Sequence, residues 1–340
     1  MDYAAPWWLP DGNTQTIWAA LRARRFVGPA PVFHRERWTT PDGDFVDVDW
    51  LAGPAPQAPA DTNCLHGGTL RTGQPAQPLL VIFHGLEGSS SSHYAQAFAD
   101  VARRRGWACA VPHFRGCSGE PNLAPRAYHS GDFAEIDWMI QRFAARSHGP
   151  VLAVGISLGG NALMRWAGEV GAQAAKAVLA VASVCAPLDL AASGRAIGRG
   201  FNRQVYTRMF LRSMVPKALH KLAQHPGLFD QGALLAARDL YAFDNVFTGP
   251  VHGFRGVDDY WARASAKPHL GCIAVPALVL NALNDPFIPT HSLPRPADVS
   301  ACVTLWQPAQ GGHVGFPAPG FPGHVRAMPE AVAGFLAARL

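Results

Sequence analysis

The sequence is sparing with charge. Charged residues make up 16% of its 340 positions, with 29 Lys or Arg against 24 Asp or Glu, for a formal net charge of +5. The pI of about 9.0 therefore reflects few charges rather than dense basic patches, which argues against nucleic acid as a partner. Cysteine is also scarce. The six are Cys64, Cys109, Cys117, Cys185, Cys272 and Cys302, and no two form a Cys-x-x-Cys pair. A chain of this length needs no disulfide staples, so they read as free, mostly buried thiols in a reducing compartment. No apolar run approaches the roughly eighteen residues that span a bilayer. Residues 1–10 carry Asp2 and no basic segment ahead of an apolar stretch, so a secretory signal is not expected and a cytoplasmic location follows by default. Internal repeats are lacking too.

What is present is ample apolar material, 49% of the chain, for one large core. The segment 44–50 approximates polar and apolar alternation, as expected of a half-solvated antiparallel strand near a sheet edge. Residues 53–60 are rich in Pro and Gly and read as an exposed loop. The run 79–83 is continuously apolar, which suits a strand covered on both faces. Helix 92–105 follows, with a serine stretch able to cap it, then strand 107–111, helix 132–144, strand 151–155, helix 158–169 and strand 177–182. Strand and helix alternate, the pattern of a mostly parallel sheet with right-handed crossovers. From 191 to 265 the alternation stops. Helix-like pieces there are broken by Pro216, Pro226, Gly232 and Gly249, which predicts an inserted helical cap. Strand signals return at 276–281 and 301–306, and a closing helix is expected at 329–340. The expected organisation is an N-terminal extension with an edge strand (1–60), a first core part (61–190), the cap (191–265) and a second core part (266–340).

Gly155-Ile156-Ser157-Leu158-Gly159-Gly160 lies where a strand meets a helix. A turn this tight demands small residues two before and two after the serine and pushes its hydroxyl out at the end of the sheet, the geometry of a nucleophile elbow. Ser157 is the candidate nucleophile and the fold class is that of an α/β-hydrolase. A serine needs a base held by a carboxylate, and in this fold the acid follows the serine and the histidine follows the acid. Asp285 stands just past strand 276–281, where sites gather in such sheets. Asp258 and Asp259 fall in the insertion, and Asp189 precedes it. His313, between glycines after the last strand, is the candidate base, with His291 as the fallback. Acyl transfer also needs donors for an oxyanion. Leu158 N–H is one candidate, and Leu86 N–H, in the loop His84-Gly85-Leu86-Glu87-Gly88, is the other. His84, His93, His113 and His129 match no zinc signature, and Leu65-His66-Gly67-Gly68 lacks the lysine of a phosphate loop, so neither metal nor cofactor is expected.

Several blocks together resemble the YheT-like branch of the α/β-hydrolase superfamily. They are His84-Gly85-Leu86-Glu87-Gly88-Ser89, His93-Tyr94, Phe114-Arg115-Gly116-Cys117-Ser118-Gly119, Tyr128-His129-Ser130-Gly131-Asp132 and the elbow through Asn161. The likeness runs from Pro6 nearly to the C-terminus. It implies hydrolysis of carboxylic esters, with kin acting on lipids or passing acyl groups to alcohols, and a matching triad of Ser157, Asp285 and His313. One block departs: where such proteins carry Gly-His-x-Gln-Thr, this chain reads Gly12-Asn13-Thr14-Gln15-Thr16.

The expected function is cleavage of a small-molecule or lipid-like carboxylic ester through an acyl-serine intermediate. The alternatives are acyl transfer to an alcohol and a non-catalytic binder of acyl ligands. The insertion holds ten Lys or Arg and five Asp or Glu. Such a basic cap, with Phe201, Tyr206, Met209, Phe210, Leu211 and Met214, leaves peripheral membrane contact open, against the plainer reading of Arg195, Arg199, Arg203 and Arg208 as one solvated helix face. No oligomeric state follows from the sequence.

Overall fold

The computed structural model of the chain describes residues 3–53 and 76–340. The Pro-rich segment 54–60, Cys64 and the glycines of 65–68 lie outside the described residues. Eight strands, β1 (Phe33–Thr39), β2 (Phe45–Leu51), β3 (Leu79–Phe83), β4 (Ala108–Pro112), β5 (Val151–Ile156), β6 (Ala180–Val184), β7 (Ala277–Leu280) and β8 (Val303–Trp306), form one sheet in the order β1-β2-β4-β3-β5-β6-β7-β8. Pairing is antiparallel at β1–β2 and β2–β4 and parallel from β4 onward.

The continuous apolar runs follow from burial on two faces. In β3, Leu79, Val81 and Phe83 join the core under α3 (Phe133–Arg146) and α4 (Leu158–Val170), while Leu80 and Ile82 join the opposite core under α2 (His93–Arg104) and the closing helix Ala327–Ala337. Each such side chain contributes roughly 1.5–3 kcal/mol. Among the described residues no helix is long and apolar enough to cross a membrane.

Three local expectations are corrected. Strand β2 is not half-solvated: Asp47 and Asp49 are buried, because Arg37 and Arg35 of β1 pair with them and His113 bonds Asp49 from the other side. Strand β2 is antiparallel and lies next to the edge strand, β1. Strand β6 begins three residues later than read, because the N–H groups of Ala177 and Val178 are spent on Ala174 O in a tight turn rather than on the ladder. Ser92 makes no side-chain cap for α2. Its hydroxyl accepts the Ser89 N–H instead.

Between β6 and β7 the described chain forms only helical pieces, among them Leu190–Ile197, Arg208–Gln224, Gln231–Ala236, Leu240–Phe243 and Val257–Ala264. Of the four expected breakers only Pro226 lies in a break. Pro216 sits inside Arg208–Gln224 on its exposed face, so the Arg212 carbonyl that it leaves without a helical donor can be hydrated. The arginines at 195, 199, 203 and 208 are all exposed, but Arg195 sits in one helix and Arg208 in another.

Candidate active site

Ser157 follows β5 directly and precedes α4, with φ 51° and ψ −117°, a backbone state costly for any L residue. A Cβ on Gly155 would lie 2.4 Å from Gly159 O, and one on Gly159 would lie 2.5 Å from Phe83 O and His84 O. Only glycine at both places lets strand, turn and helix close around the serine.

The loops after β7 and β8 bring two further side chains to it. His313 Nε2 lies 2.9 Å from Ser157 Oγ, and His313 Nδ1 lies 2.9 Å from Asp285 Oδ2. An ionised carboxylate only accepts, so Nδ1 carries the proton and donates to Asp285, leaving Nε2 free to accept the serine proton. Asp285 Oδ1 accepts the Phe287 N–H at 2.8 Å, and the Phe287 ring covers the imidazole at 4.1 Å between centroids. The competitors are engaged elsewhere. Asp189 caps helix Leu190–Ile197, Asp258 accepts from Tyr241, and Asp259 pairs with Arg255 and Arg263. His291 is exposed and has no bond to Ser157 or Asp285.

The loop after β3 lies against the serine, with the Gly85 Cβ direction 3.3 Å from Ser157 Cβ. Its amides are almost all spent: Gly85 N–H donates to the Tyr94 hydroxyl, Glu87 N–H to the Tyr128 hydroxyl and Gly88 N–H to Gly85 O. Among the described residues the Leu86 N–H has no such acceptor. The Leu158 N–H opens α4, where the first helical amides have no partner in the helix. Glu87, at φ 56°, returns its carboxylate to Tyr128 at 2.9 Å and to Lys217 Nζ of the insertion at 2.8 Å.

The four crowded histidines form no common site: His84 and His113 are neighbours, with ring centroids 5.8 Å apart, while His93 bonds Val314 O and His129 packs on His252 and Phe254. Burial pushes His84 down to about 3, with His113 adding to it, so His84 is neutral. It accepts the Phe114 N–H at Nε2 and donates from Nδ1 to Gly85 O. Burial also lowers His93 to about 4 and His129 to about 3. One donor set within reach of a metal does exist: Cys185 Sγ, an Asp285 oxygen and a His313 nitrogen lie within 4.8 Å of one another. Burial and then the Asp285 carboxylate push the Cys185 thiol well above its usual range. A thiol is a poor ligand and His313 is already held by Asp285, so the trio reads as a hydrogen-bonded cluster. Cys109, Cys117 and Cys185 are buried, whereas Cys272 and Cys302 are exposed. Nothing in the sequence marked Cys185, whose Sγ accepts the Val314 N–H at 3.2 Å.

Ser157, Leu86 and Leu158 line part of a cavity of about 510 Å³ between the sheet loops and the helical pieces that join β6 to β7. Phe210, Met214, Leu240, Phe243, Phe247 and Trp261 supply its apolar wall, and Lys217, Lys221 and Arg115 supply cations.

Known proteins can be set beside this geometry. The family described as alpha/beta hydrolase fold matches residues 78–317. A protein of Escherichia coli (strain K12), provisionally named esterase YheT, is 39% identical over 285 residues, covering 83% of this chain and 78% of its own. Phospholipase ABHD3 of Homo sapiens is 27% identical over 314 residues, 91% of this chain and 72% of its own. Among solved structures, the Pyrococcus furiosus esterase Pf2001 superposes with a TM-score of 0.54 at 13% identity, covering 94% of this chain and 99% of that one, a likeness of fold alone.

Proposed function

This chain belongs to the α/β-hydrolase fold family, and from that membership we propose that it hydrolyses a carboxylic ester through an acyl-enzyme on Ser157. The observation that carries the reading is the unbroken chain of hydrogen bonds from Asp285 through His313 to Ser157, which lines a largely apolar cavity. In the proposed reaction Ser157 Oγ attacks the carbonyl carbon while its proton passes to His313 Nε2, and the carbonyl electron pair moves onto oxygen. The Leu86 and Leu158 amides receive that oxyanion, each worth roughly 3 kcal/mol of transition-state stabilisation. Collapse breaks the bond to the alcohol, which leaves with the proton from His313. Water, deprotonated by His313, then releases the acid and restores Ser157. Asp285 keeps the Nδ1–H tautomer throughout.

The insertion, 191–265, serves in this reading as the cap that walls the acyl site. The esterase and phospholipase names of the relatives support an ester with a lipid-like part. Phe201, Val205 and Met209 are exposed on the insertion, and Arg199, Arg203 and Arg208 beside them take part in no ion pair among the described residues. Exposed apolar groups among unpaired cations fit the surface of an anionic membrane, which would bring such an ester to the cavity. The test is labelling by a fluorophosphonate probe and hydrolysis across a series of p-nitrophenyl ester chain lengths. Ser157→Ala is expected to abolish both. Equal labelling of wild type and Ser157→Ala defeats the nucleophile assignment, and an ethyl ester as main product in ethanol and water would make the chain an acyltransferase.

A further inference from the structure

Helix α1 (Gly12–Leu21) contributes nothing to the lining of the cavity, yet its first turns grip the loops that carry His313 and Asp285. Thr16 Oγ1 accepts the backbone N–H of His313 itself at 2.8 Å, and donates its own proton to Gly12 O at 2.6 Å. Gln15 is fully buried, and every polar atom of its side chain is used. Its Oε1 accepts the Gly311 N–H at 2.9 Å and Asn284 Nδ2 at 3.0 Å, while Nε2 donates to Leu9 O. Asn284, the neighbour of Asp285, accepts the Gly312 N–H in turn. Contact with this loop is close enough that a Cβ on Gly12 would lie 1.9 Å from Asn284 O.

One internal bond, from Phe316 N–H to Gly311 O at 2.8 Å, closes the gripped loop across a strained backbone. Among residues 311–316, Val314 at φ 56° and Phe316 at φ 45° sit in the left-handed region, unfavourable above all for a β-branched side chain. The other side of the clamp is Cys185 on the Val314 N–H and His93 on the Val314 carbonyl. Without α1 the backbone at 311–313 would lose two acceptors at once, and Asn284, which accepts the Gly312 N–H, would lose its own partner in Gln15. A separate set of contacts keeps α1 in place: Trp18 packs on Trp8 and Phe321 and donates from Nε1 to Pro322 O. A change at Thr16 therefore need not detach the helix.

We infer that Thr16 and Gln15 are positioning residues, setting the placement of His313 and Asp285 relative to Ser157 through the backbone at 311–313 and the Asn284 side chain. The inference rests on the proposed roles of those three side chains. It gives a task to the Gly12-Asn13-Thr14-Gln15-Thr16 block, and Asn13, the departing position, accepts from Tyr206 of the insertion at 3.0 Å rather than touching the His313 loop.

The experiment uses the full chain with Thr16→Val, Thr16→Ser and Gln15→Leu, a short soluble p-nitrophenyl ester, and fluorophosphonate titration so that kcat is expressed per active site. Misplacement of a catalytic group by a fraction of an ångström is expected to lower kcat of Thr16→Val by about 30-fold with KM within about twofold. Thr16→Ser, which restores the acceptor, is expected to stay within about threefold of wild type by the same reasoning. The acid limb of the kcat profile, which reports the base, should move to lower pH in Thr16→Val as the imidazole loses its alignment with Asp285. Unchanged kcat per site and an unchanged limb in both Thr16→Val and Gln15→Leu would overturn the inference and leave α1 as a fold anchor. Full activity in Ser157→Ala or His313→Ala is a separate outcome, which removes the reaction reading on which the inference rests.

Discussion

Asp285→Asn preserves the size of a buried side chain and changes only what its two outer atoms can do. Both are acceptor positions, Oδ1 for the Phe287 N–H at 2.8 Å and Oδ2 for the His313 Nδ1–H at 2.9 Å. An amide offers one acceptor and one NH2. With its carbonyl on Phe287, the NH2 donates to His313 Nδ1, so the ring proton must sit on Nε2, where it faces Ser157 Oγ and blocks proton transfer. Turned over, the NH2 meets the Phe287 N–H and leaves a buried donor unsatisfied at about 1–3 kcal/mol, so the first arrangement wins. An imidazole held in the wrong tautomer loses about 10⁴-fold in kcat. At about 1.36 kcal/mol per decade, that is about 5.5 kcal/mol of transition-state stabilisation. The assay is steady-state hydrolysis of a soluble p-nitrophenyl ester, corrected by active-site titration, with a melting curve as the control for folding. KM and the melting point should hardly move. A variant keeping more than about a tenth of wild-type kcat would refute the tautomer argument, since no placement of one amide serves both donors.

Trp38 is wholly buried against Trp50, Trp138 and Phe143, so Trp38→Ala should cost about 3–5 kcal/mol in urea unfolding, and a loss below about 1 kcal/mol would contradict the packing. Burial raises the Asp244 carboxyl from 3.8 to about 6 despite hydrogen bonds from Thr248 and Trp261. The folded state therefore holds an extra proton between those values and loses stability as pH rises through them. Asp244→Asn should flatten that slope in melting curves taken from pH 4 to 7, and an unaltered slope would show that another group causes it. Phe201→Ser combined with Met209→Ser should reduce flotation with phosphatidylglycerol vesicles several-fold while hydrolysis of a soluble ester is retained. Unchanged flotation would end the membrane reading of that face.

Much of the fold was legible because the decisive patterns are local. The continuous apolar run of β3 can only be a strand covered on both sides, and a serine between Gly155 and Gly159 at a strand end has few other structures open to it. Ser157, Asp285 and His313 could be picked out by their order along the chain, and the structure places His313 within hydrogen-bond distance of both Asp285 and Ser157. What escaped depends on partners distant in sequence. The acidic side of β2 looked solvated because alternation cannot reveal that Arg35 and Arg37 meet it from a neighbouring strand. Pro216 looked like a break because composition does not say which helix face lies in water. Thr16 and Cys185 were silent because each bonds a backbone N–H beside or on His313, and a backbone acceptor leaves no trace in the identity of its partner.

The bonds from Gln15 and Thr16 to Gly311 and His313 join positions 296 and 297 apart. Such pairings are among the slowest for a chain to find, and during synthesis the early member waits in water for the late one. On the proposed roles, a ribosome that has made the elbow, the sheet and the helical pieces between β6 and β7 has still produced a serine without its base. The hydrogen-bonded arrangement of Ser157, His313 and Asp285 can form only late, once the segment around His313 has been released and has met a helix made among the first residues, so on the proposed roles the growing chain carries no armed serine through the crowded interval that precedes it.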